Sequence, residues 1–240
     1  MTATIALGQD FLKAFSRIPR QAQGKVRVAI NDLQENPSHP GLNFEPIRSA
    51  DNNLYSVRID RNYRGILLRQ QQQSLYVLLW VDNHDDAYDW ASRRRCIIHP
   101  ETGALQLVPI REGGSAGQDQ SVEEHVPDGL FKSIKDREMR RLGVPDQLLP
   151  DVRGVLGEAQ LDALAPTLPE EVAEALYMLA SGYTIQEAFA ELQKDKEPDE
   201  PVSKEDFRRA LEHPDAMRRF HVVADAHELQ AILNAPLEQW

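Results

Sequence analysis

Apolar positions in the first ninety residues fall into runs of two kinds. Thr2 to Leu7 is a short β-prone stretch, after which Phe11, Leu12, Phe15 and Ile18 recur at helical spacing and define one apolar face. Pro19 ends that helix and is tolerated at the start of the next, whose apolar face is Val26, Ala29, Ile30 and Leu33 and which Asn36-Pro37 stops. Two antiparallel helices follow from so short a connection. Ser38-His-Pro-Gly41 reads as a turn. Leu54 to Ile59, Tyr63 to Arg69 and Leu75 to Val81 then alternate or run continuously apolar, as strands do. Asp60-Arg61-Asn62 and Gln70 to Ser74 are short enough for hairpins, so the three strands predict an antiparallel meander. A helix over Asp85 to Arg95 closes the domain. The predicted class is α+β, in the order β-α-α-β-β-β-α over residues 1–95, with the helix pair on one face of the sheet.

Past this point the pattern changes. His99-Pro-Glu-Thr-Gly103 is a turn, Ala104 to Ile110 a last strand-like run, and Gly113 to Gln120 a polar, Gly/Ser-rich linker. Residues 96–120 are therefore expected to join the first domain to an all-helical region over 121–240. In that region Thr184-Ile-Gln-Glu187 and Asp225-Ala-His-Glu228 fit the capping-box pattern, with Ser203 and Asp206 a weaker relative of it. Leu168-Pro-Glu-Glu171 opens a helix whose buried stripe is Val172, Leu176, Leu179 and Ala180. Leu148-Leu-Pro-Asp151 and Thr167-Leu-Pro-Glu170 share a Leu-Pro-acid start that hints at a degenerate helical repeat. Lys194 to Pro201 is charged, lacks apolar residues and reads as a flexible connector. The last residues, Ala235 to Trp240, read as an interrupted end.

Charge sharpens this division. The chain has a formal net charge of −11, yet residues 1–95 carry 13 Lys/Arg against 10 Asp/Glu and residues 96–240 carry 14 against 28. Electrostatic attraction acts over about a Debye length, ~8–10 Å, so the acidic total does not remove the N-terminal half from nucleic-acid binding. The single cysteine, Cys96, excludes an internal disulfide and a multi-cysteine zinc site, and fits a reducing compartment. The start lacks the basic and apolar regions of a secretory signal, and no run of about 18 apolar residues occurs, so a cytoplasmic protein with no membrane association is expected.

Leu54-Tyr-Ser-Val-Arg-Ile59, Asn62-Tyr-Arg-Gly-Ile-Leu67 and the stretch from Trp80 to Tyr88, preceded by Asn36 to Leu42, resemble the central meander of RelE/ParE-superfamily toxins over about residues 1–92. Relatives of that kind engage RNA, the ribosome or gyrase. The string Trp80-Val-Asp-Asn-His-Asp-Asp-Ala-Tyr-Asp-Trp90 is more specifically similar to a toxin-like region ahead of the motor in some UvrD-type superfamily 1 helicases, whose helical spacer residues 96–240 then resemble. The chain carries no phosphate-loop motif and so is not itself the ATP-driven motor. The resemblance implies an accessory domain that binds nucleic acid, RNA or DNA, or a ribonucleoprotein such as the ribosome, and that targets or regulates a helicase motor in cis or in trans, with no cofactor.

A RelE-like endoribonuclease, the second reading, uses no metal: basic groups stabilise the charged transition state while a base and an acid move protons. Arg58 and Arg64 lie at the matching positions for phosphate, and His84 and Tyr88 at those for proton transfer or base stacking. Arg61 and Arg69 add to a basic face, and Arg93, Arg94 and Arg95 supply a phosphate-contacting run at a predicted helix C-terminus. Each has a plain structural alternative: strand arginines solvate, His84 begins a helix, Tyr88 and Trp90 pack in a core, and cations suit a helix C-terminus. Active relatives commonly carry an Arg where this chain has Asp85, flanked by Asp82 and Asp86, which repel phosphate. His84 with these three acids is also a conceivable divalent-cation set, though acids at a helix start already have a structural use. A third reading is a protein-interaction module that meets an antitoxin-like partner.

Overall fold

The computed structural model describes residues 3–47, 53–70, 72–110, 129–192, 202–203 and 205–235. Its elements in chain order begin with β1 (Thr4–Gly8), α1 (Gln9–Arg17), α2 (Arg20–Glu35), β2 (Glu45–Pro46), β3 (Leu54–Arg58), β4 (Tyr63–Gln70), β5 (Leu75–Asn83) and α3 (His84–Ser92). They continue with β6 (Arg94–Ile98), β7 (Leu105–Pro109), α4 (Asp136–Arg141), α5 (Leu149–Arg153), α6 (Glu158–Leu164), α7 (Glu170–Ala180) and α8 (Ile185–Glu191). Last come α9 (Phe207–Leu211), α10 (Pro214–Arg219), β8 (Phe220–Val223) and α11 (Ala226–Asn234). The fold is α+β, and the predicted β-α-α-β-β-β-α order is present, with the two-residue β2 added. The expected linker over Gly113 to Gln120, the connector over Lys194 to Pro201 and the residues after Ala235 lie outside the described residues.

Two compact units make up the chain. One comprises residues up to Cys96 together with those from Asp206 onward, and the other Ile97 to Glu205. The first holds a six-stranded sheet in the order β2-β3-β4-β5-β1-β8, antiparallel throughout except where β1 runs parallel to β5. One face of this sheet buries Ile5, Leu7, Val57, Leu67, Leu78 and Val81 against Phe11 and Phe15 of α1 and Val26, Ile30 and Leu33 of α2. On the other face lies α3, with Ala87 and Ala91 fully buried and Trp90 stacked on Trp80 at a centroid distance of 5.0 Å. A register shift between Ile66 and Leu67 pairs them with Trp80 and Leu78, so Leu79 is an extra residue and the strand keeps both faces filled on either side of it.

Three expectations need correction. The helix predicted to reach Arg95 stops at Ser92, and Arg94 and Arg95 open β6, because the β-prone Cys96-Ile-Ile98 run draws them into a strand. The region over 121–240 is not all helical. Phe220-His-Val-Val223 forms β8 on the free edge of β1, which takes residues from Asp206 onward into the first unit and moves the division away from residue 120. The cap before α9 is Asp206 itself, whose side chain accepts from the Arg209 N–H, while the Ser203 hydroxyl accepts from the Glu205 N–H.

In the second unit the capping box at Thr184 and Glu187 is present, and α7 opens at Pro169 as the Leu-Pro-acid pattern predicts. The two Leu-Pro-acid segments differ in structure: Pro150 lies inside the first turn of α5, whereas Pro169 precedes α7. The core here is Phe131, Met139, Val144, Leu148, Val152, Leu161, Val172 and Leu176. His99, fully buried, fastens the β6–β7 turn. Its Nδ1 accepts from the Glu101 and Thr102 N–H groups, which leaves the ring proton on Nε2 to donate to the Val144 carbonyl at 3.1 Å.

Candidate functional site

Cross-strand partners project from the same face of a sheet. Pairing of Glu45 with Ser56, Ser56 with Ile66 and Ile66 with Trp80 therefore makes one row on the α3 face, and Arg58, Arg64 and Asp82 make the next. The start of α3 is fixed over these rows. Asn83 caps it by accepting from the Asp86 N–H, and the His84 N–H donates to the Asn62 carbonyl at 2.7 Å, tying the helix to the β3–β4 turn.

One turn further on, the Tyr88 hydroxyl reaches the sheet. It donates to Glu45 Oε2 at 2.9 Å and lies 2.8 Å from Oγ of Ser56, a residue only 1% exposed. Burial pushes the Tyr88 phenol above its ordinary value. The Ser56 hydrogen bond and the Arg64 charge pull it down, while the hydrogen bond and charge of Glu45 raise it further. The ring of His84 sits 4.9 Å from that of Tyr88, tilted by 39°, and its Nδ1 is 2.9 Å from Asp85 Oδ1.

Arg64 is held by the turn that precedes it, with Nη1 donating to the Asp60 and Tyr63 carbonyls at 2.9 and 3.0 Å. Asp60 organises the same turn: Oδ1 accepts from the Asn62 and Tyr63 N–H groups, and Oδ2 pairs with Lys25 at 2.8 Å. Burial raises the Asp60 carboxyl, but the Lys25 contact and the two amides outweigh it and hold the carboxyl below its usual range. Arg58, exposed at the end of β3, faces Arg64 in register, and Arg61 is exposed in the turn between them.

Arg58, Arg64, His84 and Tyr88 thus gather at one end of the α3 face, and the remaining predicted arginines lie elsewhere. Arg69 belongs to the opposite face, its guanidinium 4.2 Å from the Phe44 ring and 5.4 Å from that of Tyr55. At the far end of α3, Arg93 pairs with Asp89 at 2.7 Å and Arg94 covers the Trp90 ring at 4.5 Å, with burial lowering its pKa. Arg95 is half-buried on β6. Asp82 Oδ1 accepts from the Asn83 N–H and Asp86 takes the Asn83 amide, so these acids serve the helix start. Among the described residues no group of three or more His, Cys, Asp and Glu side chains is placed to hold a metal ion. The sequence reading missed Ser56 and Glu45. The signal for Ser56 was a lone hydroxyl at an inward strand position, whereas two-residue β2 left no pattern to find.

The two units differ in charge. The first carries 17 Lys/Arg against 16 Asp/Glu, close to neutral, and the second 10 against 22. Among the described residues no helix is long and apolar enough to cross a membrane.

The chain matches no family model and no curated protein sequence. Solved structures similar to part of it include the toxin-antitoxin complex RelBE2 from Mycobacterium tuberculosis, at 20% identity and a TM-score of 0.30, over 35% of this chain and 100% of that one. The RelB-RelE antitoxin-toxin complex from Methanococcus jannaschii is similar at 19% identity and a TM-score of 0.30, over 35% of this chain and 95% of that one.

Proposed function

We propose that the first unit is a non-catalytic module that binds single-stranded nucleic acid and serves as an accessory segment of a UvrD-like helicase. The observation that carries this reading is the Arg58 and Arg64 pair in register beside the His84 and Tyr88 rings: two guanidinium groups suit phosphates, and an exposed ring face suits a splayed base. The helicase context rests on the likeness of the Trp80 to Trp90 string. The Tyr88 hydroxyl donates its hydrogen bond to Glu45, His84 lies against Asp85, and Asp82 shares a row with Arg64, so the groups that would have to move protons around a phosphate are engaged with carboxylates. Titration of a labelled single-stranded oligonucleotide over a salt series tests the reading. Affinity falling steeply with salt, and weakened in Arg64→Ala, is the expected result; affinity that ignores salt sinks it.

Metal-independent RNA cleavage is the second reading, and the closeness of the His84 and Tyr88 rings, with the Arg64 charge acting on the Tyr88 phenol, favours it. RNA incubated with pure protein and chelator, with and without ribosomes, is expected to stay intact. Chelator-resistant fragments that vanish in Tyr88→Phe would establish the nuclease instead.

A further inference from the structure

The last described segment of the chain packs against the rest of the first unit in the manner of a bound ligand. Along β1, Ile5, Ala6, Leu7 and Gly8 pair with Val223, Val222, His221 and Phe220, so β8 covers an edge that the remaining strands leave open. Gly8 faces Phe220, whose ring atoms lie 3.6 Å from where a Gly8 side chain would begin, in ordinary contact, while the Leu78 carbonyl oxygen of β5 lies only 3.1 Å from the same point. After β8 the chain turns into α11, which buries Leu229, Ile232 and Leu233, spaced i, i+3 and i+4, in the same core as Val26 and Ile30 of α2.

Around this apolar centre runs a polar rim. Arg219 pairs with Asp10 at 3.0 Å, Gln9 Nε2 donates to the Arg218 carbonyl, Arg27 Nη2 to the Leu233 carbonyl at 2.8 Å, and Gln230 to Asn31. A buried apolar centre with polar contacts at its margin is the anatomy of an interface between two bodies. The segment also supplies its own N-terminal capping. Asp225 accepts from the Glu228 N–H, and the Glu228 carboxylate accepts from the Ala224 N–H and meets His221. A strand joined to a self-capped helix is a pre-organised ligand of the strand-addition and helix-in-groove kind.

We propose that residues 206–235 are an intramolecular ligand of the body formed by residues 3–96, and that the seat on β1 and α2 exchanges this segment for another copy of the same sequence. The seat is specific for a short strand with an inward aromatic at its start, followed by a helix with an i, i+3, i+4 apolar stripe.

The test uses the full chain with a protease recognition sequence inserted between Leu192 and Val202. After cleavage the two pieces are expected to co-elute on gel filtration, and a fluorescent peptide spanning 206–235 is expected to replace the cut segment, read as a rise in anisotropy. Uncut protein should take up at least tenfold less of it, because the tethered copy has the higher effective concentration. A peptide carrying Ile232→Asp and Leu233→Asp should not enter either form. Three results overturn the proposal: loss of the segment while the body stays folded, aggregation of the body on cleavage, or a cut complex that never takes up the labelled peptide.

Discussion

The Tyr88 hydroxyl donates to the Glu45 carboxylate at 2.9 Å, joining α3 to the two-residue strand β2 across 43 positions of sequence. With Ser56 as its other partner, Tyr88 satisfies a hydroxyl that is otherwise buried under the helix. Tyr88→Phe is expected to cost about 1 kcal/mol, measured by urea unfolding at neutral pH. Because folding raises the phenol's pKa, neutral Tyr88 stabilises the protein below its unfolded value near pH ~10, and this contribution fades as pH climbs through the folded value. The gap between wild type and Tyr88→Phe should therefore narrow in alkaline solution.

Asp60 offers the opposite sign. Its folded carboxyl lies below the ordinary value of 3.8, so its contribution is complete above about pH 4–5 and disappears as pH falls through the folded value. Asp60→Asn keeps an oxygen for the Asn62 and Tyr63 amides but loses the ion pair with half-exposed Lys25. The expected cost at pH 7 is about 0.5 kcal/mol. Unfolding curves between pH 5 and 2 should be flatter for the variant than for wild type.

The arginines separate by place. Arg58→Ala and Arg64→Ala should each weaken single-strand binding and lower the salt slope by about 0.7, the share of one phosphate contact. Arg94, laid on the Trp90 ring, should leave both quantities unchanged when replaced by Lys. Equal losses at all three positions would show that the cluster at the end of the α3 face has no special role.

His99 joins three backbone groups in the second unit, two amides of its own turn and the Val144 carbonyl. His99→Leu leaves the buried Val144 carbonyl without this donor and frees two part-buried turn amides, and should cost about 2 kcal/mol. Gly103 closes the same turn at a φ of +78°, a left-handed conformation, so Gly103→Ala should cost about 1 kcal/mol. Thermal scans by circular dichroism check the order of the two losses.

The meander was legible because β3, β4 and β5 are long enough to show their alternation and are bounded by polar turns. Strand β8 was not. Four residues between helical patterns carry no period, and what makes Phe220 to Val223 a strand is the open edge of β1, more than two hundred residues away. Arg94 and Arg95 read as the end of a helix because cations suit that place, yet the apolar, largely β-branched run after them prevailed. Arg58, Arg64, His84 and Tyr88 were singled out by the family resemblance, and the fold brings them to one end of the α3 face. Arg69 was grouped with them wrongly in space: five positions from Arg64 on one strand, it has the opposite parity and faces the other side. Ser56 acquires meaning only when folding brings Tyr88 over it.

The chain leaves the first unit after Cys96 and re-enters it at Asp206, so everything between is a closed loop drawn out of that unit's own backbone. The cost of closing a loop grows with the length of its disordered part, by about 0.6 kcal/mol for each doubling. Melting the second unit would lengthen the disordered part of that loop and loosen the hold of β8 and α11 on β1 and α2. The stability of one unit is in this way a term in the stability of the other, carried by connectivity alone.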